Sequence, residues 1–149
     1  MTFQNPPAHA IGQLLRRVRR IAVVGVSPKP DRPSHFVAAE LQRFGYDMVP
    51  VRPATTSVLG VAAYPDLHAV PGRIDLVDVF RAPEHVDPIV DACIALKVHA
   101  LWLQDGVINE AAALRARAAG IIVVMDRCIY RDCLAHGISA ALPIDGANR

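Results

Sequence analysis

Five short polar stretches each follow an aliphatic run: Gly25-Val26-Ser27-Pro28-Lys29-Pro30-Asp31-Arg32-Pro33, Arg52-Pro53, Arg81-Ala82-Pro83, Gln104-Asp105-Gly106 and Asp126-Arg127-Cys128. A glycine at the first permits a tight turn. A serine hydroxyl with backbone N–H groups at a helix start can then cradle a phosphate. The stretch is not the G-x-G-x-x-G fingerprint, since Ser27 and Pro30 stand where further glycines belong. Gly25-x-Ser27 taken alone reads first as an ordinary βα turn. Arg52 adds more. A dinucleotide site for NAD places Asp or Glu there to accept from the ribose 2′-hydroxyl, whereas an arginine attracts an additional phosphate. NADP with its 2′-phosphate and coenzyme A (CoA) with its 3′-phosphate both fit. Lys29, Arg32 and Arg81 supply further positive charge, the alternative for each being a solvated surface cation.

Other reactive residues carry less. Cys128, Cys133 and His136 are spaced C-x4-C-x2-H, short of the four paired ligands a zinc site uses, so no metal is expected. Cys128 follows Arg127, and a neighbouring cation favours the reactive thiolate; a mixed disulfide with a CoA thiol is one reading, a structural thiol the other. Cys93 falls on an apolar stripe with Val86, Ile89 and Val90 and belongs to the core. Trp102 and Gln104 are read as outward-alternating in their strand, with Trp102 packing rather than stacking on a base. His35, His68, His85 and His99 are assigned no role. No Ser-His-Asp arrangement or water-activating carboxylate pair can be placed, so no catalytic residue is named.

The elements that must position these residues follow from periodicity. Residues 1 to 9 read as a loose lead-in. Ile11, Leu14, Leu15 and Val18 then give an amphipathic helix, and its basic run Arg16, Arg17, Arg19, Arg20 suits the negative end of the helix dipole. Aliphatic runs predict strands at 21–25, 47–51, 74–80, 98–103 and 121–125. Between them lie helices capped by Ser34, running over 86–96, and capped by Asn109. Strands that are aliphatic throughout and alternate with helices indicate an α/β, Rossmann-like, doubly wound parallel five-stranded sheet with helices on both faces. The expected order is 3-2-1-4-5. The segment 134–149 is an indistinct tail. The expected organisation is therefore a lead-in and helix over 1–20, a core domain over 21–133 and a tail over 134–149.

Composition agrees with one such domain. The chain has 149 residues, 52% hydrophobic and 20% charged, which excludes disorder and coiled coil. No apolar run reaches the ~18 residues of a membrane span, and no export signal is read at the N-terminus. Three cysteines without such a signal suit a reducing, cytoplasmic location. A net charge of +2 does not argue for nucleic acid, although 14 Arg against 2 Lys favours forked recognition of phosphate or carboxylate.

Six ordered segments carry a resemblance. They are Ile21-Ala-Val-Val-Gly-Val-Ser-Pro-Lys-Pro-Asp-Arg-Pro-Ser34, Gly45-Tyr-Asp-Met-Val-Pro-Val-Arg-Pro53, Val58-Leu-Gly60 with Tyr64-Pro65, Asp75-Leu-Val-Asp-Val-Phe-Arg-Ala-Pro-Glu84, Leu101-Trp-Leu-Gln-Asp-Gly-Val-Ile-Asn-Glu110 and Val124-Met-Asp-Arg-Cys128. The chain resembles the small single-domain CoA-binding proteins (the YccU-like group), related to the N-terminal CoA-binding domain of the succinyl-CoA synthetase α subunit. It departs from them at Arg52, where members often have Asn, and at Val26, where they often have Ala. The resemblance implies CoA or acyl-CoA as ligand, with Gly25, Val26, Ser27, Pro28 and Lys29 at the phosphates. Arg52 and Phe80-Arg81-Ala82-Pro83 would flank the adenosine phosphate and pantetheine. Gln104, Asp105 and Gly106 would line the other side.

The reading that results is a CoA-binding module without turnover, with a protein partner or homo-oligomer left open and no nucleic-acid or membrane partner. The alternatives are an NADP-binding oxidoreductase-like domain and a redox protein acting through Cys128. Replacing Gly25 by Val is expected to abolish binding in a folded protein.

Overall fold

The computed structural model describes residues 2–139. Its centre is a parallel sheet of β1 (Arg20–Val24), β2 (Asp47–Val51), β5 (Leu76–Val79), β6 (Ala100–Leu103) and β7 (Ile122–Met125), in the order β2-β1-β5-β6-β7. A small antiparallel hairpin, β3 (Ser57–Val58) and β4 (Val61–Ala62), lies beyond β2 and is tied to it by a bridge between Val51 and Tyr64. The helices are α1 (Ala8–Arg17), α2 (Pro33–Arg43), α3 (Val86–Leu96), α4 (Glu110–Ala118) and α5 (Ile129–Ala135).

Strand residues alternate between two cores because successive side chains leave a strand on opposite faces. On one face Ile21, Val23, Leu76, Trp102 and Val124 meet α1, α2 and α5 through Leu15, Leu41 and Cys133. On the other, Ala22, Val24, Val77, Leu101 and Val123 meet α3 and α4 through Val90 and Ala113. The parallel, helix-covered sheet is the α/β architecture expected. Trp102 is fully buried rather than outward, and its indole N–H donates to the Arg127 carbonyl at 2.8 Å.

The strand order differs from the expected 3-2-1-4-5. Counting only the five main strands, it is 2-1-3-4-5, with the third strand on the far side of β1. The segment between β2 and β5 buries Leu67, Val70 and Ile74 against the face opposite α2. A right-handed crossover on that face must carry the chain back past β1. The reversal of strand order therefore falls between β1 and β5.

The described segments on either side of the core carry more structure than a loose lead-in and an indistinct tail. Phe3 is buried, with the Arg117 guanidinium 4.4 Å from its ring centroid. Asn5 grips the end of β7, donating to the Met125 carbonyl at 2.9 Å and accepting the Met125 amide at 2.7 Å. The basic run closes helix ends: Arg19 donates to the Arg16 and Val18 carbonyls, and Arg16 reaches the His136 carbonyl beyond α5. Helix α5 and the buried Ile138 occupy the start of what reads as a tail, and the tail from 140 lies outside the described residues. No helix among the described residues is long and apolar enough to cross a membrane.

Candidate functional site

Gly25 follows β1 at the reversal, where a crevice opens beyond the carboxyl ends of the strands. Its amide donates to the Val51 carbonyl of β2 at 3.0 Å, and the Phe80 amide beyond β5 donates to the Val24 carbonyl at 2.8 Å. The glycine thus sits in the seam between three strand ends. Its φ is +87°, and a β-carbon there would collide with the Phe80 carbonyl and the Arg81 side chain. The positive φ suits the tight turn expected of this glycine, and the space a side chain would need is filled by the protein's own backbone, before any ligand is considered.

The loop after Gly25 is held from inside. Ser34 is the second residue of α2, behind Pro33, rather than its N-cap; Arg32 holds the cap position with no side-chain capping bond. The buried Ser34 hydroxyl instead accepts the Ser27 amide at 2.9 Å, and the Ser27 hydroxyl accepts the Lys29 amide at 3.1 Å. Pro28, Pro30 and Pro33 bring no amide. Most of the backbone cradle expected from the sequence is therefore already engaged, and the charge available to an anion comes from side chains.

Three clefts share Gly25. One of about 350 Å³ is lined by Ser27, Lys29, Arg32, Ser34, Arg52 and Phe80. A second of about 430 Å³ adds Pro53 and Arg81 to Arg52 and Phe80. The third, about 590 Å³, is mostly apolar and runs down the α3 face between Leu67 and His68 on one wall and His85, Ile89 and Ala92 on the other. Asp31, 4.0 Å from Arg32, offsets part of the charge of Lys29, Arg32, Arg52 and Arg81. A cationic rim opening onto an apolar trough suits a ligand with phosphates at its middle and an uncharged arm.

Gly25, Ser27, Lys29, Arg32, Arg52, Phe80 and Arg81 are thus brought together. The other predicted residues are placed differently. Val26 is fully buried beneath the loop, whereas Pro28 is exposed at its outer side. Ala82 and Pro83 lead into α3, where the Asn109 side-chain amide donates to the Pro83 carbonyl at 3.2 Å. Gln104 is buried and accepts the Ile129 amide at the start of α5. Asp105 pairs with Arg131 at 2.7 Å, and the Gly106 amide donates to Asp126 at 2.8 Å. Cys128, nearly buried, borders a separate cleft with Arg127, Arg131 and Asp132. The carboxyl edge therefore has a cationic half open to a ligand and a half in which charges satisfy one another.

Sequence reasoning missed the trough walls, including His68 and His85. The three-residue spacing of Ile89 and Ala92 on α3 was the available signal. Cys93 lies in the core as expected, and burial pushes its thiol up to about 12. Among the described residues, no three His, Cys, Asp or Glu side chains gather as a metal set.

Residues 19–133 match the CoA binding domain family. YneT, an uncharacterised protein of Bacillus subtilis strain 168, is 38% identical over 137 residues, 92% of this chain and 99% of its own. A hypothetical protein of Pyrococcus horikoshii OT3 superposes with a TM-score of 0.84 at 34% identity, covering 91% of this chain and 98% of that one. The dinucleotide-forming acetyl-coenzyme A synthetase 1 of Ca. Korarchaeum cryptofilum shares the fold at a TM-score of 0.66 and 21% identity, covering 76% of this chain but only 28% of the synthetase. With the family match spanning the sheet and every strand end described above, the chain belongs to the CoA binding domain family.

Proposed function

We propose that the protein binds coenzyme A or its acyl thioesters at the carboxyl edge of the sheet, over Gly25, as a binding module without turnover of its own. The observation that carries this reading is the meeting at Gly25 of a cationic cleft and an apolar trough, at the point where strand order reverses. Lys29, Arg32 and Arg52 face the phosphates, and the trough along α3 receives an uncharged arm of the ligand. Membership of the CoA binding domain family supports the choice among phosphorylated nucleotides. The residues lining the cationic cleft supply cations and two serines, whose hydroxyl oxygens accept the Lys29 and Ser27 amides, which suits holding a phosphorylated ligand.

Calorimetric titration with CoA, acetyl-CoA and NADP tests the reading. Saturable one-to-one binding of CoA and acetyl-CoA, with NADP weaker, is expected. Binding of NADP in preference to CoA, or no binding of CoA, overturns it.

A further inference from the structure

We infer that Arg52 reads a phosphomonoester on the ligand's ribose, so that the site selects a nucleotide carrying this third phosphate over the same nucleotide without it; the identification of that nucleotide as CoA rests on the function proposed above. The backbone fixes the position of Arg52 tightly. It directly follows β2, its amide donates to the Tyr64 carbonyl at 2.8 Å, and Pro53 comes next. At this place in a nucleotide-binding sheet the side chain meets the ribose. One guanidinium nitrogen, Nη1, donates to the Val26 carbonyl at 3.3 Å and lays the group across the Gly25 loop. The Nε and Nη2 donors have no protein partner among the described residues, and the side chain borders both cationic clefts.

Two further observations point the same way. The loop amides of Gly25, Ser27 and Lys29 are committed to Val51, Ser34 and Ser27, so a phosphate here is gripped by side chains. Charge matching then matters. A pyrophosphate brings about two negative charges, and a ribose phosphomonoester adds about 1.5 to 2 more. Lys29, Arg32, Arg52 and Arg81 around one loop, even with one charge offset by Asp31, exceed what a pyrophosphate alone requires, and a forked guanidinium suits the terminal phosphate that makes up the difference.

The test compares two ligand pairs, CoA with 3′-dephospho-CoA and NADP with NAD, on the wild type, Arg52→Ala and Arg52→Lys. Thermal melts establish that each variant is folded. The wild type is expected to bind CoA roughly 10- to 100-fold tighter than 3′-dephospho-CoA. Arg52→Ala should erase most of that preference while changing 3′-dephospho-CoA affinity little, and Arg52→Lys should restore part of it. Equal weakening of both members of the pair, or no preference in the wild type, overturns the assignment. If CoA fails to bind but NADP binds with the same dependence on Arg52, the CoA reading fails and the role of Arg52 stands. If neither pair binds, both fall.

Discussion

Gly25 and Phe80 approach so closely that the Phe80 carbonyl oxygen leaves no room for a β-carbon on Gly25. The contact joins β1 to β5 across the reversal of strand order, so the glycine serves the sheet and the clefts together. Neither partner can retreat cheaply, because the Phe80 amide is bonded to Val24 and the Gly25 amide to Val51.

Gly25→Ala is therefore expected to destabilise the fold by at least about 2 kcal/mol, from the left-handed φ and the backbone overlap together. Denaturant unfolding measures this. A variant as stable as the wild type would show that the loop relaxes freely. Loss of ligand binding in Gly25→Val then reports a moved strand end as much as an occupied phosphate site.

Asp78 yields a pH dependence with a definite sign. Its carboxyl lies in the middle of β5, fully buried between Val23 and Trp102 in the sheet, and neither oxygen has a hydrogen-bond partner. Burial raises its pKa well above the ordinary carboxylate range, so the folded protein keeps the proton that the unfolded chain releases. Stability from this group is fully present below about pH 4. It falls as pH rises, by up to about 1.4 kcal/mol per pH unit, until the folded-state value is reached. Asp78→Asn should flatten that slope as pH rises above the ordinary carboxylate range in urea titrations. An unchanged slope would mean that Asp78 ionises in the folded protein.

How far the fold was legible follows from the same residues. The five main strands announce themselves because both faces of the sheet are covered and their sequences are aliphatic throughout. Their order does not, since it depends on which face buries Leu67 and Val70, and a short irregular segment carries no periodicity to reveal that. Ser34 has the composition of an N-cap, yet Pro33 shifts the helix start and frees the hydroxyl for Ser27. The cationic half of the site was readable because Gly25, Lys29, Arg32 and Arg52 follow strand ends directly. The trough was not, since its walls come from elements separated along the chain. Gln104 and Asp105 also follow a strand end, but α5 engages both, and α5 was not anticipated.

The Arg127–Asp132 pair predicts an asymmetry. Asp132 is buried and accepts both guanidinium bonds, at 2.7 and 2.6 Å, whereas the Arg127 side chain is 45% exposed. Removing Arg127 strands a buried carboxylate, but removing Asp132 leaves a cation that water can reach. Arg127→Ala is expected to cost about 2–3 kcal/mol and Asp132→Ala about 1 kcal/mol less. Equal losses in matched denaturation curves would count against burial as the cause.

Cys128 separates a binding module from a redox protein. A CoA thiol held over Gly25 reaches this sulfur only if the two share a cleft. Cys128, the N-cap of α5, instead belongs to the same core cluster as Val26 and Ile129, and the cleft it borders contains none of the residues around Gly25. With 8% of the residue exposed, attack on a disulfide needs the end of α5 to open first. Native protein treated with oxidised CoA is therefore expected to show no added CoA mass at Cys128, whereas protein unfolded in urea should take up the adduct. Intact mass spectrometry of wild type and Cys128→Ser, with and without urea, reads this directly. A reductant-sensitive CoA adduct that forms rapidly on the native wild type and is absent from Cys128→Ser would overturn the structural reading of this cysteine and restore the redox one.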